Sequence, residues 1–352
     1  MKKLLNILIK SFYLIAGFLI LTIIIFFTYA TIFDFRPEKE KVEFRNLEIN
    51  TEVSDTLNII SWNIAFGGLG EQMDFFYDGG KMVISKPEDF LNNQEYIKSF
   101  FHKQNQIDFW LIQELDINSK RSYYNDQRSL FNTDHHSYRY FSQNYKVAFV
   151  PVPLYQPMGK VNSGLYTLSS YPPYEVISRY FDGNYKWPTK IFMLDRCYTI
   201  LRLKTQNKGD LILINTHNSA FDDGSLREAQ LNELLTLAKK EYQKGNYVVI
   251  GGDWNMNPPG YDLNNITGFR GTNYSQQISD SILSTDWQWA YDPNIPTIRD
   301  LSMAFKTETT ETTIIDFFLL SPNIELIKVK TFNLHFKASD HNPVFVKLKI
   351  KD

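Results

Sequence analysis

One cysteine, Cys197, is all the thiol chemistry the chain has. It can form no intrachain disulfide, and no cysteine-based zinc site can be assembled around it, so any metal must sit on oxygen or imidazole. The 352 residues also lack a basic surplus, with 37 Lys and Arg against 39 Asp and Glu and a formal net charge of −2. Lys2, Lys3, Lys10 and Arg36 face only Asp34 in the first 36 residues, which leaves about −5 for the remainder. A domain that holds long nucleic acid by its phosphates usually presents a net basic surface, and this one does not. After the N-terminal segment no internal repeat or low-complexity block is visible. Intrinsic disorder is excluded by what is plentiful: 27 Phe and 21 Tyr can build a core and line a cleft.

From Ser11 to Phe33 the chain reads SFYLIAGFLILTIIIFFTYATIF, a run without charge. As a helix it is long enough to cross roughly 30 Å of hydrocarbon. Lys2, Lys3 and Lys10 precede it and Asp34 follows it, so the positive-inside tendency places the N-terminus in the cytoplasm and the rest of the chain outside, periplasmic or extracellular. A cleaved secretory signal is the alternative, but TYATIF fits a small-residue cleavage site poorly. Residues 1–36 are thus expected to be a cytoplasmic stub and single-pass anchor, residues 37–55 a polar linker beginning RPEKEKVEFR, and residues 56–352 one domain.

Short apolar runs punctuate that domain at Leu57–Ile60, Phe109–Ile112, Val147–Val150, Leu165–Leu168, Leu211–Ile214, Tyr247–Ile250, Ile314–Leu320 and Val344–Lys349, and read as strands. Leu226, Ala229, Leu231, Leu234, Leu235, Ala238 and Tyr242 recur at three- and four-residue spacing behind a possible cap at Ser225, which predicts an amphipathic helix ending near Gly245. Strands mixed with helices in this way imply an α/β sandwich with its sheets beneath helices.

Polar residues stand where these strands end. Asn63 follows NIISW, Glu114 follows FWLIQ, His217 follows LILINT, Asp253 and Asn255 follow YVVIGG, and Asp340 with His341 precede PVFVKL. Side chains at strand ends emerge from a rigid sheet at its rim, where a site can be preorganised. Carboxylates, amides and imidazoles, without a serine elbow or thiol pair, suit a hard cation held by oxygen. A divalent ion neutralises a phosphate ester, and a carboxylate with imidazoles makes water nucleophilic. Singly, each residue is more often a rim charge or a satisfied structural group. The set carries the argument.

In chain order the motifs are SWN, QE, NSG, THN, GDWN, ID and SDHNPV. Together they resemble the endonuclease/exonuclease/phosphatase superfamily, which includes pancreatic-type deoxyribonucleases, AP endonucleases, neutral sphingomyelinases and inositol polyphosphate 5-phosphatases. The resemblance covers roughly residues 57 to 350 and implies a four-layer α/β/β/α sandwich of the DNase I-like kind. It implies Glu114 as the principal metal ligand, with Asn63 beside it and Asp340 helping to hold the ion or its waters. Asp253 then orients or deprotonates the attacking water, and Asn255 hydrogen-bonds the phosphoryl oxygens. His341 contacts the phosphate with Asp316 orienting it, and His217 steadies charge on the phosphate or leaving group. Arg196 resembles a basic residue directed at phosphate, with a salt bridge to Asp195 as the alternative, and Asn162 of NSG is a candidate substrate contact. Gly251 and Gly252 are expected to let the backbone turn after its strand.

The cofactor implied is Mg²⁺ or Mn²⁺, and the reaction is hydrolysis of a phosphate ester, foremost a phosphodiester, by in-line attack of water; the substrate ranges from a phospholipid or sphingolipid headgroup, which the anchor favours slightly, to extracellular nucleic acid. A monomer is expected. The alternatives are a nuclease acting on extracellular DNA or RNA, which predicts a local basic stripe, and a catalytically silent domain that binds a phosphorylated ligand. No lysine-rich phosphoinositide signature is present. The segments 67–94 and 256–287 read as long loops whose aromatics Phe75, Phe76, Tyr77, Tyr261, Phe269 and Tyr274 either wall a pocket or pack the loops. Arg299 either reaches an anionic substrate or is solvated or paired.

Overall fold

A computed structural model describes residues 2–220, 222–263 and 276–351, so Phe269 and Tyr274 lie outside the described residues. The chain opens with the helix α1 (Lys2–Ile32), whose residues are almost all exposed and which is long and apolar enough to cross a membrane. It starts nine residues before the charge-free run, because lysines at a helix end cost little and prolong it.

Behind it stand two twisted sheets. The first runs β1 (Glu40–Arg45), β6 (Glu175–Tyr180), β7 (Cys197–Leu203), β8 (Leu211–His217), β9 (Tyr247–Asp253), β13 (Asp316–Leu320) and β10 (Gln288–Ala290) from edge to edge. The second runs β14 (Ile324–Thr331), β15 (Val344–Ile350), β2 (Thr56–Asn63), β3 (Phe109–Asp116), β5 (Gly159–Ser169) and β4 (Tyr138–Val150). A two-stranded ribbon, β11 (Ile298–Arg299) with β12 (Thr312–Thr313), completes the set. The sheets face each other through alternate residues, Leu57 and Ile59, Phe109 and Leu111, Leu211 and Leu213, Val249, Phe318 and Val346 among them. Each such side chain taken out of water contributes about 1.5–3 kcal/mol.

Each outer face carries a helix. α3 (Ser225–Gln243) lays Leu231, Leu234, Leu235 and Ala238 on Ile212, Val248 and Leu319, while α2 (Pro87–Lys103) lays Ile97, Phe100 and Phe101 on Trp62 and Trp110. This is the expected α/β/β/α order. The cap of α3 differs from the expectation, since Ser225 is its first residue. Asp223 accepts from the Ser225 N–H at 3.1 Å and Asp222 from that of Leu226 at 2.7 Å, so the aspartates just upstream satisfy the orphan amides.

Two segments read as irregular are not. The polar linker contains β1, which pairs with β6 at the sheet edge, and its charged residues are those of an edge strand that faces water on one side. The segment 67–94 contains the first half of α2, started by Pro87 with Glu88 and Asp89 in its first turn, a helix opening that the density of Gly and aromatics upstream obscured. In the other segment, the described Met256, Tyr261, Ile278, Leu283 and Trp287 pack into the layer under α3.

Candidate active site

The site is the continuation of the inter-sheet face beyond its apolar layers. A strand repeats every two residues, so the face that holds Leu57 and Ile59 next presents Ser61 and then Asn63; the face of Leu211 and Leu213 presents Asn215 and then His217. On β9 the series ends at Asp253, and on β13 it begins at Asp316. Between the apolar and the outermost layers lies a polar one: Gln113 donates to Asn215 at 2.7 Å and to Ser61 at 3.2 Å, and Asn215 donates to Thr167 at 3.1 Å. Asp253 is the register partner of both His217 and Asp316, which sets the three side chains in one row.

Glu114 breaks the alternation. Following Gln113, it should point to the outer face, but β3 carries a bulge between Ile112 and Leu115 and Glu114 sits at φ +53. The left-handed turn re-aims its carboxylate into the cleft, at a cost of about 1–3 kcal/mol that the surrounding sheet sustains. Gly251 and Gly252 lie inside β9 and do not make a turn after it. A Cβ on Gly252 would meet the Thr216 carbonyl oxygen of β8 at 2.0 Å, so these glycines permit close approach of strands.

Asp253 is the hub of the cleft. Its Oδ2 accepts from Asn63 Nδ2 at 3.0 Å and lies 3.4 Å from His217 Nε2 and 3.7 Å from His341 Nε2, while its Oδ1 accepts from the Asn255 N–H at 3.0 Å. Burial, with Asp316 adding repulsion, pushes the Asp253 carboxyl up to about 7. His341 Nδ1 is 2.8 Å from Asp316 Oδ2. Burial alone would lower its pKa, but Asp316, Asp340 and Asp253 outweigh burial and raise it to about 10. His217 goes the other way, held well below its usual value by burial and by Arg196, His341 and Arg121. One imidazole is thus kept charged and the other neutral at pH 7.

Glu114 and Asp340 line the same cavity, together with Arg196 and Asn255. Glu114 comes no closer than 3.9 Å to Arg121 and 4.0 Å to His217 among its ion-pair neighbours. Burial pushes Asp340 up to about 6, with Glu114 opposing its ionisation. Asn255, at φ +51, uses its amide to donate to the Asn218 carbonyl at 3.0 Å. Arg196 makes no salt bridge with Asp195, which accepts instead from Asn184 at 2.9 Å, and its Nη1 is buried without a partner. Three expected site residues do not line the cavity: Asn63 and Asp316 stand behind it, bonded to Asp253 and His341, while Asn162 is not brought to the site at all. The Asn162 side-chain Oδ1 accepts from Gln143 Nε2, because alternation along β5 turns Ser163 rather than Asn162 to the cleft. Arg299 does not line the cavity: it is fully buried and donates to the carbonyls of Gly70 at 2.7 Å and Met73 at 2.9 Å, clasping the loop that walls the cleft.

Asp78 was not legible in the sequence. It lines the cavity from a short 3-10 turn (Phe76–Asp78), and burial with Asp340, Asp300 and Glu114 nearby pushes it up to about 7. Strand-end reasoning has no purchase on such a residue. Phe75 and Tyr77 also line the wall and pack on Phe76, with ring centroids 5.0 and 4.3 Å apart, so they serve as both packing and lining.

A model of the endonuclease/exonuclease/phosphatase family matches residues 60–341, from β2 through His341. The chain belongs to that family. Solved structures share its fold at low sequence identity. An endonuclease/exonuclease/phosphatase from Beutenbergia cavernae matches with a TM-score of 0.56 and 16% identity over 84% of this chain and 72% of that one. TDP2 from Caenorhabditis elegans matches at 0.52 and 14% over 84% and 74%. ANGEL2, described as a 2′,3′-cyclic phosphatase, matches at 0.51 and 14% over 90% and 99%. Comparison with curated protein sequences gave no match. Family membership carries phosphoester hydrolysis as its general chemistry.

The donor set fits a divalent cation. Asp253, Asp316 and His341 offer atoms within 4.8 Å of one another, but Asp316 and His341 are spent on each other and a protonated imidazole cannot ligate. Glu114, a quarter exposed and no nearer than 3.9 Å to the Arg121 guanidinium, lines the cavity with the buried Asp340 carboxylate, an oxygen-rich pair whose charges repel unless neutralised.

Proposed function

We propose that this family member hydrolyses a phosphodiester by in-line attack of water at the Asp253 cleft. The observation that supports it best is the arrangement around Asp253, a carboxylate pushed up to about 7 by burial and placed between a neutral and a charged imidazole. Glu114 and Asp340, with Asn63 beside them, would hold a divalent cation such as Mg²⁺ or Mn²⁺, which would supply charge neutralisation of the phosphate. Asp253 orients a water and takes its proton; the water oxygen bonds to phosphorus, the ester P–O bond breaks, and the departing oxygen takes up a proton. His341, held by Asp316, binds a phosphoryl oxygen as a cation, His217 supports the leaving side, and Asn255 and Arg196 contact the remaining oxygens. The unpartnered Arg196 Nη1 is available for that contact.

Hydrolysis of bis-p-nitrophenyl phosphate by the full chain in detergent, with and without EDTA, tests the reading. Activity should vanish with EDTA, return with Mg²⁺ or Mn²⁺, and be lost in Asp253→Ala. Full activity in Asp253→Ala would end the assignment of that residue. The helix α1 is read as an uncleaved anchor that holds the domain outside the cytoplasm.

A further inference from the structure

We propose that the mouth of the cleft rests on the membrane and that its substrate is a phosphodiester in the headgroup of a membrane phospholipid. This rests on the hydrolase reading above and on α1 as a transmembrane helix.

Two segments carry the argument. The first joins β4 to β5: from Val147 to Gly159 it reads VAFVPVPLYQPMG, with no charge, bracketed by Lys146 and Lys160. It leaves Leu154 87%, Phe149 45% and Val152 38% exposed. The second joins β6 to β7 and presents Trp187, 57% exposed, between Lys186 and Lys190. Apolar tips flanked by lysines are what an interface between headgroups and hydrocarbon accepts, the tips entering and the ammonium groups snorkelling outward.

The anchor fixes their depth. Phe26 stacks on Phe192 with centroids 5.9 Å apart and meets Phe149 at 6.4 Å, Phe27 meets Trp187 at 5.8 Å, and the Trp187 indole donates to Thr31 at 3.1 Å. Phe26 lies seven residues, roughly 10 Å of helix, before the end of the apolar run at Phe33. Loops that touch it are therefore level with the outer part of the bilayer.

The same two segments wall the cleft. Met158 comes from the first, and Met193, Leu194 and Arg196 from the second, and all four line the cavity that holds Glu114, Asp253 and His341. A lipid headgroup in the outer leaflet thus meets the cavity between these segments, with apolar side chains toward its acyl side and Arg196 toward its phosphate. Hydrolysis there adds water across the P–O bond as above and releases a headgroup fragment or a phosphorylated headgroup to the aqueous side.

The test uses the full chain with Mg²⁺ in vesicles of phosphatidylcholine and phosphatidylglycerol. Leu154→Asp places a charge at the exposed tip without touching the cleft. It should lower phospholipid turnover about tenfold or more and leave bis-p-nitrophenyl phosphate hydrolysis unchanged. In parallel, an environment-sensitive fluorophore on Leu154→Cys should shift to the blue in vesicles, whereas one on Lys208→Cys, ahead of β8 at the opposite end of the sheet, should not; native Cys197 is buried and stays unlabelled. Unchanged lipid turnover in Leu154→Asp, or equal spectra at the two labelled positions, overturns the proposal. A wild-type chain that hydrolyses bis-p-nitrophenyl phosphate but no phospholipid overturns this inference alone, whereas one that hydrolyses neither overturns the hydrolase reading beneath it.

Discussion

Gln113 and Asn215 join the two sheets by a 2.7 Å hydrogen bond immediately beneath the cleft, one residue before Glu114 and two before His217. The bond sits in a fully buried layer where each member also serves another partner, Ser61 or Thr167. Removing one member leaves the others unsatisfied in a low dielectric. Asn215→Ala should therefore lower stability by about 1–3 kcal/mol in urea unfolding and reduce kcat as well, since His217 follows on the same strand. A variant as stable and as active as the wild type would show that this layer is filler.

On the proposed mechanism Asp316 is a positioning residue that acts through His341. It holds the imidazole by a 2.8 Å contact and is the largest of the charges that raise its pKa. Asp316→Asn should lower kcat about 10²-fold or more with KM changed little. The alkaline limb of the pH–rate profile should move to lower pH, because the imidazolium loses its main counter-charge. A variant whose KM rises while kcat and the pH profile stay put would place Asp316 in binding instead.

Arg299 ties β11 to the loop around Leu69–Met73 through backbone carbonyls. Arg299→Met fills similar space but leaves those carbonyls unpartnered. A loss of about 3 kcal/mol is expected in the unfolding free energy, with proteolysis beginning in residues 67–86. Loss of activity without loss of stability would argue that the guanidinium meets substrate after all.

His136 makes stability fall in acid. Burial is the main cause that lowers its pKa from 6.5 to about 4, with His135 and Arg139 adding to it and the Ile107 carbonyl, 2.8 Å from Nε2, opposing it. The unfolded chain takes up this proton near pH 6.5 and the folded chain only near pH 4. The stability associated with the neutral ring is thus present above 6.5, declines as pH falls through that window, and reaches a loss of roughly 3 kcal/mol at its acid end. His136→Gln should flatten that limb in a series of thermal melts between pH 4 and 7.5. Parallel curves for the two proteins would assign the acid sensitivity elsewhere.

Much of this was legible in the order of residues. Strand cores are apolar because both faces are covered, so the polar residues that end or precede them at Asn63, His217, Asp253 and Asp340 stand out, and the motif order around them carries the family. The charge-free run of α1 and the spacing of α3 are likewise local patterns. Edge strand β1 was not legible, because half-exposed charged strands and linkers have the same composition.

What the chain determined alone was therefore which chemistries are present: oxygen and imidazole donors, one unpaired thiol, and an apolar helix of bilayer length. The folded arrangement decided which of them meet. Period-two alternation and one left-handed residue at Glu114 sort cleft from exterior, turning Asn162 away and Glu114 inward. Burial and mutual distance then assign opposite charge states to His217 and His341, and long-range packing brings Asp78 to the wall and Arg299 under it. These follow from three-dimensional proximity between segments far apart in the chain, which local patterns do not encode.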